Sequence, residues 1–475
     1  MNDRAGRPSW LSPIIHLSNN VVSLIGVIMT TTGGVAWLFL IPVYLGEGTQ
    51  HPYMGIIFYM LVPGFFFTGL ALIPLGIWLR NRKESADERD PKRLPPVNWE
   101  NADFRRLVYF VAIATAINVI IGGHLTMAGV EYVDSNTFCG LTCHTVMIPE
   151  YTAYQDSPHF RVHCTECHIG AGASWFVKSK LSGVRQVFAT ALDTYSKPIP
   201  TPIHNLRPAR ETCEQCHWPQ KFTGTRLVVN AHFSDDEQSS MSKTVLLMHI
   251  GGGGADRGIH GFHLDPGVVV QYRSNPERTE IPWVSYTGTD GVTTEYAAEG
   301  WDPAQAESYE LRTMDCLDCH NRPSHAFELP ERALDRALAR GRIDPTLPMI
   351  KSAGLEILNA EYAPEQAALQ IPARVESFYR EKYPELIGDR LEDVRLAGEQ
   401  LLRIYQRNVF PEMNVTWGAY PNWLGHNDFP GCFRCHDDLH ESSAGTTISQ
   451  DCSSCHELLA IEEEDPAILA ELGVN

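Results

Sequence analysis

The chain has 475 residues, is 44% hydrophobic and carries a formal net charge of −19, a length beyond one compact domain. Residues 1–130 hold 10 Lys+Arg against 8 Asp+Glu, and from Glu131 onward the balance is 28 against 49. So acidic a body excludes nucleic-acid binding, which needs a basic face, and suits a basic soluble partner, because opposite fields raise encounter rates.

Three long apolar runs come first. Val21–Leu45 and Tyr53–Leu79 hold no charged residue, and Leu107–Val130 is interrupted only by His124. Each is long enough to cross a hydrocarbon core of roughly 30 Å at about 1.5 Å per residue. Buried helices of a soluble protein are the alternative, but uncharged runs of this length disfavour it. The first run also far exceeds the h-region of a cleavable signal. Arg80, Arg82, Lys83, Arg89, Lys92, Arg93, Arg105 and Arg106 lie between the second and third runs, and Arg4 and Arg7 precede the first. Basic loops stay inside. The expected topology is therefore a multi-pass protein of the bacterial inner membrane, with everything after about Val130 in the periplasm.

All twelve cysteines lie in that outer part, in six pairs each followed at once by histidine. Five are C-x-x-C-H: Cys164, Cys167 and His168; Cys213, Cys216 and His217; Cys316, Cys319 and His320; Cys432, Cys435 and His436; Cys452, Cys455 and His456. The earliest, Cys139, Cys143 and His144, has one extra residue between the thiols. C-x-x-C-H is the attachment signature of c-type haem. The two thiols form thioethers and the histidine is the proximal iron ligand. Disulfides need no histidine after every second cysteine, and there are only 19 histidines in the chain. Zinc sites need four ligands from paired half-motifs. A catalytic cysteine would leave one unpaired, and none is. Six covalent haems in one chain read as a conductor of electrons rather than a single reaction centre.

Between the third and fourth motifs, residues 222–312 alternate in a β pattern (Gly267–Tyr272, Ile281–Tyr286) broken by turn signals at Gly251–Gly254 and Thr289–Gly291. A small β-rich insertion is expected there. It holds His232, His249, His260 and His263. The nearest suppliers of a distal ligand for the Cys213 motif are His204, His260 and His263. Residues 331–419 turn helical, with apolar residues at three-to-four spacing in Arg390–Phe410, and read as a cysteine-free spacer. Residues 420–475 form a dihaem module in which His426 and His440 flank the Cys432 motif as candidate distal ligands.

The stretch from Phe138 to about Pro330 resembles the NapC/NirT family of membrane-bound quinol-dehydrogenase cytochromes. The resemblance rests on a membrane run ending before the first motif and on Met147 shortly after His144. It continues through Tyr154–His159 ahead of Cys164, Lys178 and Lys180 in SWFVKSKL, and Cys316–His325 followed by Glu328–Pro330. It implies a haem cluster on the membrane, Met147 on the first haem, His159 distal on the haem of the Cys316 motif, and His325 distal on that of the Cys164 motif. It further implies Lys180 at a quinol, menaquinol or another. Three apolar runs, the longer first motif, the insertion and two further motifs depart from the usual pattern. They are similar to the longer ImcH-like inner-membrane branch.

The expected fold is thus three transmembrane helices on residues 1–130, then a mainly α, loop-rich multihaem domain. That domain comprises residues 131–221, the insertion, the fourth motif on 313–330, the spacer and the dihaem module. The expected function is quinol oxidation, with Lys178 and Lys180 at the quinol, Glu150, Asp156 or Asp193 as proton acceptors, and His124 as a second quinone contact. A terminal reductase, or a conduit subunit of a larger respiratory complex, is the alternative.

Overall fold

The computed structural model describes residues 16–45, 62–84, 99–100, 102–142, 146–170, 172–203, 206–251, 257–363 and 365–474. It divides into two compact units, Met1–Cys143 and His144–Asn475. The first is helical: α1 (Val21–Leu45), α2 (Val62–Lys83) and α3 (Ala102–Val133). Helix α2 and the Phe104–Val133 part of α3 are long and apolar enough to cross a bilayer. Helices α1 and α2 pack through small residues, since a Cβ on Gly26 would lie 2.7 Å from the Gly69 carbonyl oxygen. Glycine at both positions permits this approach, the usual device of helix pairs in lipid. Ser23 Oγ donates to the Ile73 carbonyl at 2.9 Å, and Arg80 Nη1 donates to the Asn19 carbonyl at 2.5 Å, tying the same two helices along their length. Asn118 of α3 donates to Thr31 of α1 at 3.3 Å.

The second unit opens with α4 (Ile148–Gln155), α5 (Cys164–His168), α6 (Ala173–Ala191) and α7 (Ala209–Cys213). Strands β1 (Arg226–Phe233) and β2 (Met241–Met248) precede α8 (Ile259–Leu264). After it come β3 (Val269–Ser274), β4 (Trp283–Thr287), β5 (Thr293–Ala297) and β6 (Glu310–Thr313). Burial alternates along β3, with Val270, Tyr272 and Ser274 inward, as one buried sheet face requires. Four helices follow: α9 (Pro330–Ala339), α10 (Ile350–Asn359), α11 (Ala367–Lys382) and α12 (Pro384–Asn408). The chain ends with β7 (Glu441–Ser442), β8 (His456–Glu463) and α13 (Ala467–Glu471).

The fold is therefore mainly α with a small β-rich part and at least two helices of membrane-spanning length. That β-rich part is two antiparallel sheets rather than one, in the orders β1-β2-β8 and β6-β3-β4-β5-β7. Each takes its last strand from the C-terminal end of the chain, so the insertion and the last two motifs fold as one body.

The four helices enclose the largest apolar core, with Leu334, Leu338, Ile357, Ile371, Val375, Val394 and Leu401 buried. Within it Lys351, 1% exposed, donates from Nζ to Asp335 at 2.5 Å. Asp335 also accepts from the Phe233 backbone at 3.2 Å, joining the helices to β1. Helices α11 and α12 cross at Gly398, where a Cβ would come within 2.9 Å of Pro372 Cα.

Candidate haem centres

Each regular motif is wound into about one helical turn, which brings residues three and four apart onto one face. Cys164–His168 is α5 itself, and Cys213 closes α7. The amides of His217, His320 and His436 donate to the carbonyls of Cys213, Cys316 and Cys432 at 2.8, 2.8 and 3.1 Å. Cys139 lies in a π turn, Phe138–Thr142. A π turn takes up one extra residue, as the longer first motif demands. Cys143 and His144 lie outside the described residues, as does His204.

No disulfide joins Cys316 to Cys319, Cys432 to Cys435 or Cys452 to Cys455. Burial pushes the thiols of Cys319 and Cys435 up to about 12.

The histidines of the five regular motifs each face a second histidine. Ring centroids are 6.2 Å apart for His168 and His325, and 6.1 Å for His217 and His159. They are 6.4 Å apart for His320 and His260, 5.9 Å for His436 and His263, and 6.3 Å for His456 and His426. Two imidazoles on opposite sides of one metal have centroids about 6 Å apart, given about 2 Å per metal–nitrogen bond and about 1 Å from nitrogen to ring centre. All five pairs match. The carbonyls of Pro323, Glu150, Ile250, Ile259 and Ser449 engage Nδ1 of His159, His325, His260, His263 and His436 at 2.6–3.2 Å. Such a bond fixes the tautomer and turns Nε2 to the metal. Burial first, then neighbouring imidazoles, lowers the pKa of His168 and His320, and burial lowers those of His263 and His325. The neutral ring that this favours is the metal-binding form.

The pairs follow one another in sequence order. Helix α5 touches α7, and α7 touches the turn Cys316–Asp318. Phe222 stands between the second and third of these sites, 6.4 Å from His217 and 4.8 Å from His260. His260 and His263, three apart on α8, serve adjacent pairs. Arg434 Nη2 donates to the Asp318 carbonyl at 2.7 Å, linking the Cys316 and Cys432 motifs.

Several expected partners are placed differently. His159 faces His217 of the Cys213 motif, not His320. His260 and His263 face the Cys316 and Cys432 motifs rather than the Cys213 motif. His426 faces His456 of the last motif. His440, 2% exposed, has both ring nitrogens engaged: Nδ1 with Asp437 at 2.9 Å and Nε2 with the Ile281 carbonyl at 2.7 Å. It holds the C-terminal module against the β4 entry. Its i,i+3 spacing from Asp437 was a visible signal for that role.

The residues expected around a quinol fall into two groups. Lys178 lies 4.4 Å over the Trp175 ring, and Lys180 is half-buried on the same helix, α6. Met147 packs beside Val146, Ala153 and Phe327. Each candidate proton acceptor has a cation. Both Glu150 carboxylate oxygens accept from Arg322 Nη2 at 2.9 Å, with His325 Nδ1 3.4 Å away. Asp156 pairs with Arg407 at 2.7 Å and Asp193 with Lys197 at 2.9 Å. His124 is exposed on α3. Sequence reasoning passed over Arg322, which also donates to the His325 carbonyl at 2.6 Å and lies over the Tyr420 ring.

Apolar helices of membrane-spanning length, joined in one chain to C-x-x-C-H turns with opposed histidines, define a membrane multihaem c-type cytochrome. The model of the NapC/NirT cytochrome c family, N-terminal region, matches residues 102–199. The cytochrome c-type protein ImcH of Geobacter sulfurreducens is 40% identical over 452 residues, covering 94% of this chain and 89% of that protein. No solved structure matches the chain. The chain belongs to the NapC/NirT cytochrome c family, in its ImcH-like branch.

Proposed function

We propose that the chain oxidises menaquinol, or another membrane quinol, at the outer face of the bacterial inner membrane. Electrons then pass to a basic cytochrome or reductase in the periplasm. The five opposed histidine pairs are the observation that carries this reading. They favour one-electron transfer over a terminal reductase, which needs an open coordination position. Six covalent haems c are assigned to the six motifs, and when bound they supply reversible one-electron chemistry. His144, His168, His217, His320, His436 and His456 would hold their irons beside the attachment cysteines. His325, His159, His260, His263 and His426 would hold the last five irons from the other side, and Met147 would hold the first.

Helix α1 is read as a third span, with the basic segment between the second and third apolar runs inside. Cys139 begins nine residues past Val130, so the first motif belongs at the depth of the outer headgroups, within reach of a quinol. Lys180 donates a hydrogen bond to a quinol oxygen and stabilises negative charge there as a proton leaves. Asp156 and Asp193, with side chains 60% and 70% exposed, take protons to the aqueous side. Glu150, clamped by Arg322, instead holds the His325 ring in place.

Anaerobic mixing of the detergent-solubilised protein with a soluble menaquinol analogue, followed by haem absorbance, tests the reading. The expected result is haem reduction. A chain reduced by dithionite but not by the analogue would overturn it.

A further inference from the structure

Helix α6 is the longest helix of the second unit before the α9–α12 core, with 19 residues, and among the described residues it packs extensively against no other helix or strand. Its apolar residues are turned outward: Val177 is 55% exposed, Leu181 69%, Val184 57% and Phe188 63%. Spaced by four, three and four, these four form one stripe, and Val187, 57% exposed, lies beside it next to Lys180. At about 100° per residue the four fall within about 60° of one another. Leu192, at the C-cap, continues the stripe and is 70% exposed.

The charges are placed just as selectively. The helix holds Lys178, Lys180 and Arg185 and no Asp or Glu, in a body that is otherwise strongly acidic. On the same wheel Lys180 flanks the stripe on one side and Lys178 and Arg185 flank it on the other, each about 40–120° from its members. The face opposite carries no charge, with Gln186 Nε2 donating to Ser182 Oγ at 3.2 Å and Trp175 on the same side. Trp175, with Lys178 over its ring, stands near the helix start.

We propose that α6 lies in the plane of the membrane surface, its stripe in the acyl boundary and its three cations on anionic headgroups. A soluble partner would have to cover an apolar strip bounded on both sides by cations. A bilayer offers that order of layers, apolar below and anionic at the rim, and long basic side chains reach the headgroups while their stems cover apolar surface. The chain already belongs to a membrane family, so the helix need only settle on the bilayer and not recruit the protein to it. This goes beyond the quinol reading, because α6 can rest on lipid whether or not Lys180 meets a quinol.

The test uses the full-length haem-loaded protein in nanodiscs of mixed phosphatidylglycerol and phosphatidylcholine. Single variants place a thiol on the stripe (Leu181→Cys, Val184→Cys) or opposite it (Ser182→Cys, Gln186→Cys). Native cysteines held as thioethers do not react, and intact mass reports haem content and labelling together. The stripe thiols should react about tenfold more slowly than the opposite ones with a charged, water-soluble maleimide. They should react readily with a lipid-soluble maleimide, and their protection should weaken in discs of phosphatidylcholine alone. Equal labelling of the two faces by the charged reagent would overturn the proposal. So would protection of the stripe from both reagents, which means a protein cover, or protection lost on dilution, which means a second copy. Haem reduction by quinol, measured on the same samples, is a separate readout, so either idea can fail alone.

Discussion

Asp318 stands between the two cysteines of the Cys316 motif and is 2% exposed. Its Oδ1 accepts from the Tyr272 hydroxyl at 2.5 Å and from Arg278 Nη1 at 3.2 Å, and its Oδ2 accepts from the Asp315 amide at 2.7 Å. Burial, with Asp318 beside it, pushes the Tyr272 hydroxyl up, so it remains a donor. The cluster fastens β3 to the turn that carries His320. Asp318→Asn keeps the shape and removes the charge facing Arg278, whose side chain is 11% exposed, so solvent does little to screen the loss. Breaking a buried pair from one side costs about 3–5 kcal/mol. Tyr272→Phe removes one hydrogen bond to a charged acceptor and costs about 1.5–3 kcal/mol. Because both act on one carboxylate, the double variant should fall short of the sum by about 0.5–3 kcal/mol. Hydrogen exchange of the β3 amides in the haem-loaded protein reads the local stability, without assuming that so large a chain unfolds in one step. A change under about 1 kcal/mol for Asp318→Asn, against the 3–5 expected of a buried pair, would refute the reasoning.

Lys351→Ala should destabilise the α9–α12 core by about 3–5 kcal/mol by leaving Asp335 buried without its lysine, while Lys351→Met with Asp335→Leu should cost far less; hydrogen exchange of the α9–α12 amides separates them. His263→Ala should convert one low-spin haem of the chain to high spin, whereas His440→Gln should leave the spin state untouched and loosen the C-terminal module; low-temperature paramagnetic resonance distinguishes these. Lys180→Ala should slow reduction by the menaquinol analogue about 10²–10³-fold, the usual loss for one such donor, with dithionite reduction unchanged; an unaltered rate would move attention to His124.

What could be read from the residues and what could not divide along physical lines. Haem attachment is local chemistry: two thiols and an imidazole within one turn, so Cys164–His168 and its counterparts were legible without any fold. The apolar runs were legible for the same reason, since length and lack of charge need no partner. The second histidine of four of the five pairs was not, because pairing is long-range; His325 opposite His168 is the exception, and the family resemblance points to it. His159 and His217 are brought together by the contact of α5 with α7, and His456 meets His426 across a module whose strand β8 joins β2. His260 and His263 stood close to legibility, since three-residue spacing on a short helix sends both rings to one side. What hid them was the assumption that nearness in sequence to the Cys213 motif meant nearness in space. The same assumption favoured His440, which neighbours the Cys432 motif yet has its nitrogens taken by Asp437 and the Ile281 carbonyl.

The most direct test of the account is the mass of the denatured chain with its covalent groups in place. Six haem additions are expected, one for each pair of cysteines. Five would remove Cys139 and Cys143 from the attachment set and leave the opposed histidine pairs as assigned. Fewer than five would contradict the account, because at least one of the five pairs would then have no iron to hold.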